Sequence, residues 1–143
     1  MPPFFTEQAE ASPSTDYGTD VLTSPTLDTS FALYSGPLIV CHAIARRLTT
    51  PRGKLPFHPD YGKDLRAYLN EAMTSSTLSE MRAAAEMEAE ADERVESASA
   101  TVTFKPPEKA VTLRLVLFMA EGPFELVLGI SELTAEVLSV GEA

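Results

Sequence analysis

The sequence has few of the residues that most often carry enzymatic or metal chemistry. It contains one cysteine, Cys41, no tryptophan and only two histidines, His42 and His58. A single cysteine excludes an internal disulfide and favours a reducing compartment such as the cytosol. The histidines lack metal-site spacing, and no glycine-rich phosphate loop or G-x-S-x-G elbow is present. We therefore expect no metal ion, no cofactor and no catalytic residue.

Long apolar runs are also missing. The run VLFMA at 116–120 is strand-sized, whereas a membrane-spanning helix needs about 20 apolar residues. The N-terminal sequence MPPFFTEQAEASPSTDYG lacks a basic start followed by an apolar core, so we expect no secretory signal. The sequence therefore predicts no membrane partner.

Positive charge is scarce and concentrated in one segment. The chain has 11 basic and 21 acidic residues, a net charge of −10. Residues 46–70 hold six basic and two acidic residues, which gives +4, and include the stretch RRLTTPRGKLPFHPDYGKDL. A chain that is acidic overall is repelled by nucleic acid and by anionic lipid, so the basic segment needs a local explanation.

Hydrophobic periodicity predicts three helices, at about 36–48, 63–73 and 77–96. The first can be capped by Ser35 or Gly36 and has Pro37 in its first turn. Its expected buried residues are Leu38, Cys41, Ile44, Ala45 and Leu48. The third begins with a capping box formed by Thr77 and Glu80. Its apolar line is expected to comprise Leu78, Met81, Ala84, Ala85, Ala91 and Val95.

The period changes to two after the helices. Strands are predicted at about 98–105, 110–119 and 124–130, joined by short turns as an antiparallel meander. Residues 131–143 fit either a further strand or a short helix. This order predicts an α+β domain at 31–143, with helices on one face of a small antiparallel sheet and an extended or flexible arm at 1–30. Val116 and Phe118 make the end of the second strand apolar on both faces, which predicts some cover there.

The basic segment resembles a known family. The helix end ARRLTTPRG followed by PDYGKDL is similar to the lysozyme-like baseplate wedge proteins of contractile phage tails, a family shared with the type VI secretion baseplate. Its pattern is a helix ending Arg-Leu-x-Thr, then Gly, then Pro-x-Tyr/Phe-Gly-x-x-Leu. The matching residues here are Arg47, Leu48, Thr50, Gly53, Pro59, Tyr61, Gly62 and Leu65. DERV resembles the family's Glu-Pro-Arg through Asp92 and Arg94, although Glu93 replaces the proline.

The resemblance, which extends from about Gly36 to Ile130, implies a structural and non-enzymatic virion protein of the tail baseplate, assembled in the host cytoplasm. It implies the baseplate wedge proteins and the tail sheath subunit as partners, with tail tube or hub proteins as further candidates. The chain is expected to be a monomer alone and to occupy several places in the baseplate ring. Sheath attachment is expected by strand addition to its three-stranded sheet. The implied partner-binding residues are the eight residues of the loop pattern together with Arg52, Asp92 and Arg94. Among them, Arg47 and Arg52 would anchor the loop on the helical bundle of the wedge proteins.

Two other functions stay open from the sequence. A peptidoglycan-cleaving hydrolase, which the family label suggests, needs two carboxylates that flank a sugar cleft, and no such pair stands out. The acids crowd onto the third helix, where they are expected to repel one another and stay hydrated: Glu86, Glu88, Glu90, Asp92 and Glu93. A nucleic-acid-binding module would use the basic segment, with Phe57 and Tyr61 as stacking surfaces.

Simpler interpretations also exist for the two motifs. The loop would be a rigid connector shaped by its prolines and glycines, with charges that keep it soluble. Asp92 and Arg94 would be an ordinary ion pair in the last helical turn, exposed to water and worth a few tenths of a kcal/mol, roughly.

Overall fold

A computed structural model of the chain describes residues 16–21, 33–131 and 135–143. The elements within these ranges are β1 (Thr19–Val21), β2 (Leu33–Ser35), α1 (Pro37–Arg47), a 3₁₀ helix (Leu65–Asn70), α2 (Ser75–Glu90), β3 (Ser97–Lys105), a 3₁₀ turn (Pro106–Glu108), β4 (Ala110–Met119), β5 (Gly122–Ile130) and β6 (Ala135–Glu142). The helices pack against a four-stranded antiparallel meander in the order β3-β4-β5-β6, and β1 pairs with β2. The predicted α+β class is confirmed.

Strict alternation of apolar and polar residues produces the inner face of the large sheet. Every second residue of β4 is buried, from Val111 to Met119, and the register places Leu113 between Val102 and Leu128. The three predicted strands are confirmed, with ends that differ by two residues at most. Phe118 points to the outer face of the sheet and is 42% exposed.

The C-terminal segment is a strand, which settles the alternative between strand and helix. β6 pairs along β5 from Ile130↔Ala135 to Phe124↔Glu142, with a register shift at Val127/Leu128. The sheet therefore has four strands rather than the expected three, and the chain itself occupies the β5 edge.

The first predicted helix is confirmed as α1. Gly36 is its N-cap at φ 89°, and Pro37 fills the first position, where its missing N–H costs nothing. Four of the residues expected in its buried face are buried: Cys41, Ile44, Ala45 and Leu48. Leu38 is only half-buried, and Ile39 and Val40 are buried in addition.

The other two helices differ from their predictions. The second is a 3₁₀ helix of six residues, shorter than the predicted 63–73. α2 begins at Ser75 because Thr74 is the N-cap and accepts from the Thr77 N–H at 3.3 Å, so Thr77 and Glu80 are not its capping box. α2 ends at Glu90 rather than near 96. Ala91 is exposed, and Val95 is buried beyond the helix.

The N-terminal part of the chain is described only in part. Of the predicted arm, residues 1–15 and 22–30 lie outside the described residues. Residues 16–21 lie against the domain, where β1 pairs Asp20 with Tyr34 of β2. Tyr17 is 3% exposed, and its hydroxyl oxygen accepts from the Glu121 N–H at 3.3 Å. None of the described helices is long and apolar enough to cross a membrane.

Candidate functional site

A buried carboxylate on α2 organises the basic loop. Glu88 lies on the face of α2 that is turned inward, and its side chain is 5% exposed. Its Oε1 accepts from Arg47 Nε at 3.0 Å and from the Gly62 N–H at 2.8 Å, and its Oε2 accepts from Arg52 Nη2 at 2.8 Å. We call Glu88, Arg47, Arg52 and Gly62 the Glu88 junction. The expectation that the acids of this helix stay hydrated is therefore wrong for Glu88.

Both arginines of the Glu88 junction make further contacts inside the fold. The guanidinium carbon of Arg47 lies 4.4 Å from the centre of the Tyr61 ring, a cation–π contact. Arg52 Nε donates to the Gly62 carbonyl at 3.0 Å, so both polar groups of Gly62 are held. The side chain of Arg47 is only 16% exposed and that of Arg52 is 53% exposed. Arg47, one of the two expected anchors for a partner, is thus committed to its own fold.

The end of the loop satisfies the carbonyls at the end of α1. The last carbonyls of a helix have no partner within it. Here the Lys63 N–H donates to the Arg47 carbonyl at 2.9 Å, and the Leu65 N–H donates to the Leu48 carbonyl at 3.0 Å. Thr50 adds its hydroxyl to the Arg46 carbonyl at 2.7 Å. The pattern residues Leu48 and Leu65 therefore join the start of the loop to its end, and Thr50 caps the end of α1.

Gly62 lies where no other residue fits. Its φ is +94°, and a Cβ at this position would stand 2.3 Å from the Thr50 carbonyl oxygen. Gly53 also has a positive φ, +84°, but open space surrounds it. Residues 51–60 are all exposed, including Gly53 and Pro59. The loop consequently has a fixed base and a projecting tip.

Asp92 and Arg94 form a second cluster just after α2. Asp92 accepts from Arg94 Nε at 2.9 Å and Arg94 Nη2 at 2.6 Å, and it also accepts from the Arg94 N–H at 3.0 Å. Arg94 Nη1 donates to the Tyr17 carbonyl at 2.9 Å. The simple interpretation of a water-exposed pair in the last helical turn is wrong, because Asp92 is buried and the pair holds the N-terminal segment.

Opposing effects set the pKa of Asp92. Burial acts to raise the pKa of this carboxyl. The hydrogen bonds from the Arg94 side chain and backbone, with the charges of Arg94 and Arg47, outweigh burial and hold the pKa below its usual range. The carboxylate therefore stays ionised at neutral pH, which suits a structural ion pair better than a proton donor.

The two clusters border one cavity of about 520 Å³. Arg47 of the Glu88 junction lines it together with Asp92, Arg94 and the N-terminal residues Asp16 and Tyr17. The structure thus brings the helix end of the loop pattern and the DERV segment together. Gly53 and Pro59 do not line this cavity.

Two residues of this arrangement were missed in the sequence, Glu88 and Tyr17. Glu88 follows Met81 by seven residues and Ala85 by three, so it stands on the apolar line of α2, and this spacing is the available signal. Nothing in the local pattern marks Tyr17 as buried.

Metal and thiol chemistry find little support in the described part of the chain. No group of three His, Cys, Asp or Glu side chains among residues 16–21, 33–131 and 135–143 could hold a metal ion. Burial raises the pKa of the Cys41 thiol to about 11, which disfavours the reactive thiolate. Burial and the charge of Arg46 lower the pKa of His42.

Comparison with known proteins adds no assignment. No protein-family model matches the chain, and no curated protein matches it significantly. What the molecule itself defines is an α+β domain with a rigid, ion-paired loop base beside an antiparallel sheet.

Proposed function

We propose that this protein is a structural, non-enzymatic component of a contractile-tail baseplate that joins the wedge proteins to the first sheath ring. The loop pattern and DERV, which resemble the baseplate wedge family, give the proposal its biological setting. In this account the chain belongs to the virion baseplate, is assembled in the host cytoplasm, and is a monomer before assembly.

The state of the two sheet edges carries the proposal. Strand addition needs an edge whose backbone N–H and C=O groups are unpaired. The outward N–H groups of Ala98 and Ala100 on β3 are already bonded, to Glu90 Oε1 at 3.1 Å and to Glu86 Oε1 at 2.9 Å. β6, at the other end of the sheet, has no neighbouring strand on its outer side among the described residues. We therefore infer that a strand of the sheath subunit adds along the eight residues of β6.

Nucleic-acid binding is the weaker alternative because the arginines of the basic segment are already paired with carboxylates. Arg46 bonds Asp20 at 2.8 Å, Arg66 bonds Asp64 at 2.8 Å, and Arg47 and Arg52 share Glu88. Phosphate binding would require these ion pairs to be exchanged.

The proposal is tested with the sheath subunit and the wedge proteins of the contractile particle that contains this chain. Val140 in β6 and Val102 in β3 form a matched pair of half-buried valines at opposite edges. The Ala143 N–H donates to the Pro123 carbonyl at 3.2 Å, so alternation along this regular part of β6 directs the Val140 N–H away from β5. Val102 follows Ala98 and Ala100 in the same alternation, so its N–H points away from β4. A proline at either position removes that N–H without removing a bond of the existing sheet.

We expect the wild type to capture both sheath and wedge proteins. Val140→Pro should lose sheath capture and keep wedge capture, whereas Val102→Pro should keep both. Thermal unfolding followed by circular dichroism confirms that each variant is folded. A wild type that captures neither the sheath subunit nor the wedge proteins would contradict the proposal.

A further inference from the structure

The most exposed aromatic side chain among the described residues lies at the tip of the basic loop. Phe57 is 99% exposed, and Leu55 beside it is 38% exposed. A phenylalanine in water contributes nothing to the core, and large apolar side chains of this kind often anchor protein interfaces. We call residues 54–58 the loop tip.

The backbone of the loop tip is unfavourable for the residue that it carries. Phe57 has φ 65°, a left-handed conformation that bulky side chains rarely adopt and that glycine or asparagine would tolerate. At 99% exposure, the benzyl group packs against almost nothing in the described part of the fold. A cost without a benefit in the isolated chain suggests that the benefit arises on binding.

The loop tip is also rigid before any partner arrives. Successive turns are closed by hydrogen bonds from Lys54 N–H to the Pro51 carbonyl, from His58 N–H to the Leu55 carbonyl, and from Tyr61 N–H to the His58 carbonyl, each 3.2 Å. Pro56 and Pro59 restrict the backbone further, and the Glu88 junction fixes the base. A preformed anchor binds with less loss of conformational entropy than a flexible one.

The charge around the loop tip selects the character of the partner. One carboxylate, Glu88, faces two guanidinium groups, Arg47 and Arg52, which leaves one positive charge at the loop base. Lys54 and Asp60 are both exposed and make no ion pair among the described residues, so their charges offset one another and the positive charge that remains lies at the loop base. A complementary surface would be apolar at its centre and acidic at its rim.

We propose that Phe57 inserts into an apolar pocket with an acidic rim on the wedge proteins, and that this contact determines wedge binding. The inference rests on the proposed function and names the side chain that recognises one of its two partners. It also moves the anchor from Arg47 and Arg52, which hold the loop together, to the tip that they support. A membrane is disfavoured as the target because the chain has a net charge of −10.

The decisive variant is Phe57→Gly, because glycine is the residue that φ 65° favours. The isolated Phe57→Gly chain should unfold at the same temperature as the wild type or higher. Its affinity for the wedge proteins should fall at least about tenfold. Phe118 in β4 is the matched exposed phenylalanine. Because glycine weakens a strand, the control variant is Phe118→Ser, which should leave wedge affinity unchanged. Phe57→Leu should retain most of the affinity.

The outcomes separate this inference from the proposed function. Equal wedge affinity of Phe57→Gly and wild type, with the wild type binding both partners, overturns the inference alone. A wild type that binds neither wedge nor sheath proteins overturns both. The wild type could instead bind vesicles of anionic phospholipid and not the wedge proteins. If Phe57→Gly abolished that vesicle binding, the loop tip would be a membrane contact and the inference would also be overturned.

Discussion

Glu88 places a carboxylate in the interior between two guanidinium groups and a backbone amide. A buried charge in such a set is strongly destabilising when one partner is removed, because the others stay desolvated without compensation. The consequence is that one side chain of α2 determines the conformation of a loop that begins 41 residues earlier at Arg47.

Neutralising Glu88 should therefore destabilise the whole domain. We expect Glu88→Gln to lower the free energy of unfolding by about 3 kcal/mol, as measured by urea denaturation. Glu80→Gln, at an exposed position on the same helix, is the matched control and should change it by less than about 0.5 kcal/mol. Equal stability of the two variants would contradict the role of the Glu88 junction.

The two loop glycines should respond differently to the same substitution. Both have positive φ, but only Gly62 would push a Cβ against the Thr50 carbonyl oxygen. We expect Gly53→Ala to cost about 1 kcal/mol from backbone strain alone. Gly62→Ala should cost clearly more, since the loop must also move. Denaturation of both variants measures this difference, and similar costs would refute the close approach.

Asp92 should make stability depend on pH in the acid range. Its folded-state pKa lies below the usual value, so its contribution is fully present above the pKa of the unfolded chain. That contribution is lost as the pH falls through the folded-state pKa. We expect the loss of stability between about pH 5 and pH 2 to be smaller in Asp92→Asn than in the wild type. Parallel curves of unfolding free energy against pH would argue against the ion pair.

At the scale of elements, α2 protects the edge of the sheet against which it packs. Glu86 and Glu90 bond two N–H groups of β3 that a neighbouring molecule could otherwise use. An unprotected edge is a template for association, and charged side chains are a common means of blocking it. β6 is the contrasting edge, since no strand pairs with its outer side among residues 16–21, 33–131 and 135–143.

Removing both carboxylates should open the β3 edge. We expect Glu86→Ala/Glu90→Ala to associate more strongly with rising concentration than the wild type, because both edges of its sheet are then unprotected. Size-exclusion chromatography with light scattering measures the mass of each form over a hundredfold range of concentration. Glu80→Ala with Glu96→Ala removes two exposed acids and controls for the change in net charge. A monomeric double variant at all concentrations would count against edge protection.

Across the whole molecule, the sequence was sufficient to predict elements and buried faces where side-chain type and hydrophobic period agree. The alternation of β4 predicted its bounds and its buried face, and Pro37 marked the start of α1. It was insufficient where distant residues decide. Glutamate is usually exposed to water, and Glu88 is buried because Arg47 and Gly62 donate hydrogen bonds to its carboxylate. Position along the helix did not reveal those partners.

The errors at the helix ends have local physical causes. The Asp92 carboxylate accepts from the Arg94 N–H, and this turn competes with continuation of α2 beyond Glu90. The sequence predicted Thr77 as the N-cap of α2, but Thr74 is the N-cap. Both threonines are suitable N-caps, and the conformation of the preceding chain decides between them. Boundaries set by such competition are not encoded in periodicity.

Amide hydrogen exchange, resolved by NMR with and without the purified sheath subunit, shows which edge of the sheet the sheath subunit covers. We expect the outward amide of Val140 in β6 to become protected in the complex, while that of Val102 in β3 exchanges as before. Protection of Val102 instead, or a complex in which Val140 still exchanges freely, would contradict sheath attachment at the β6 edge.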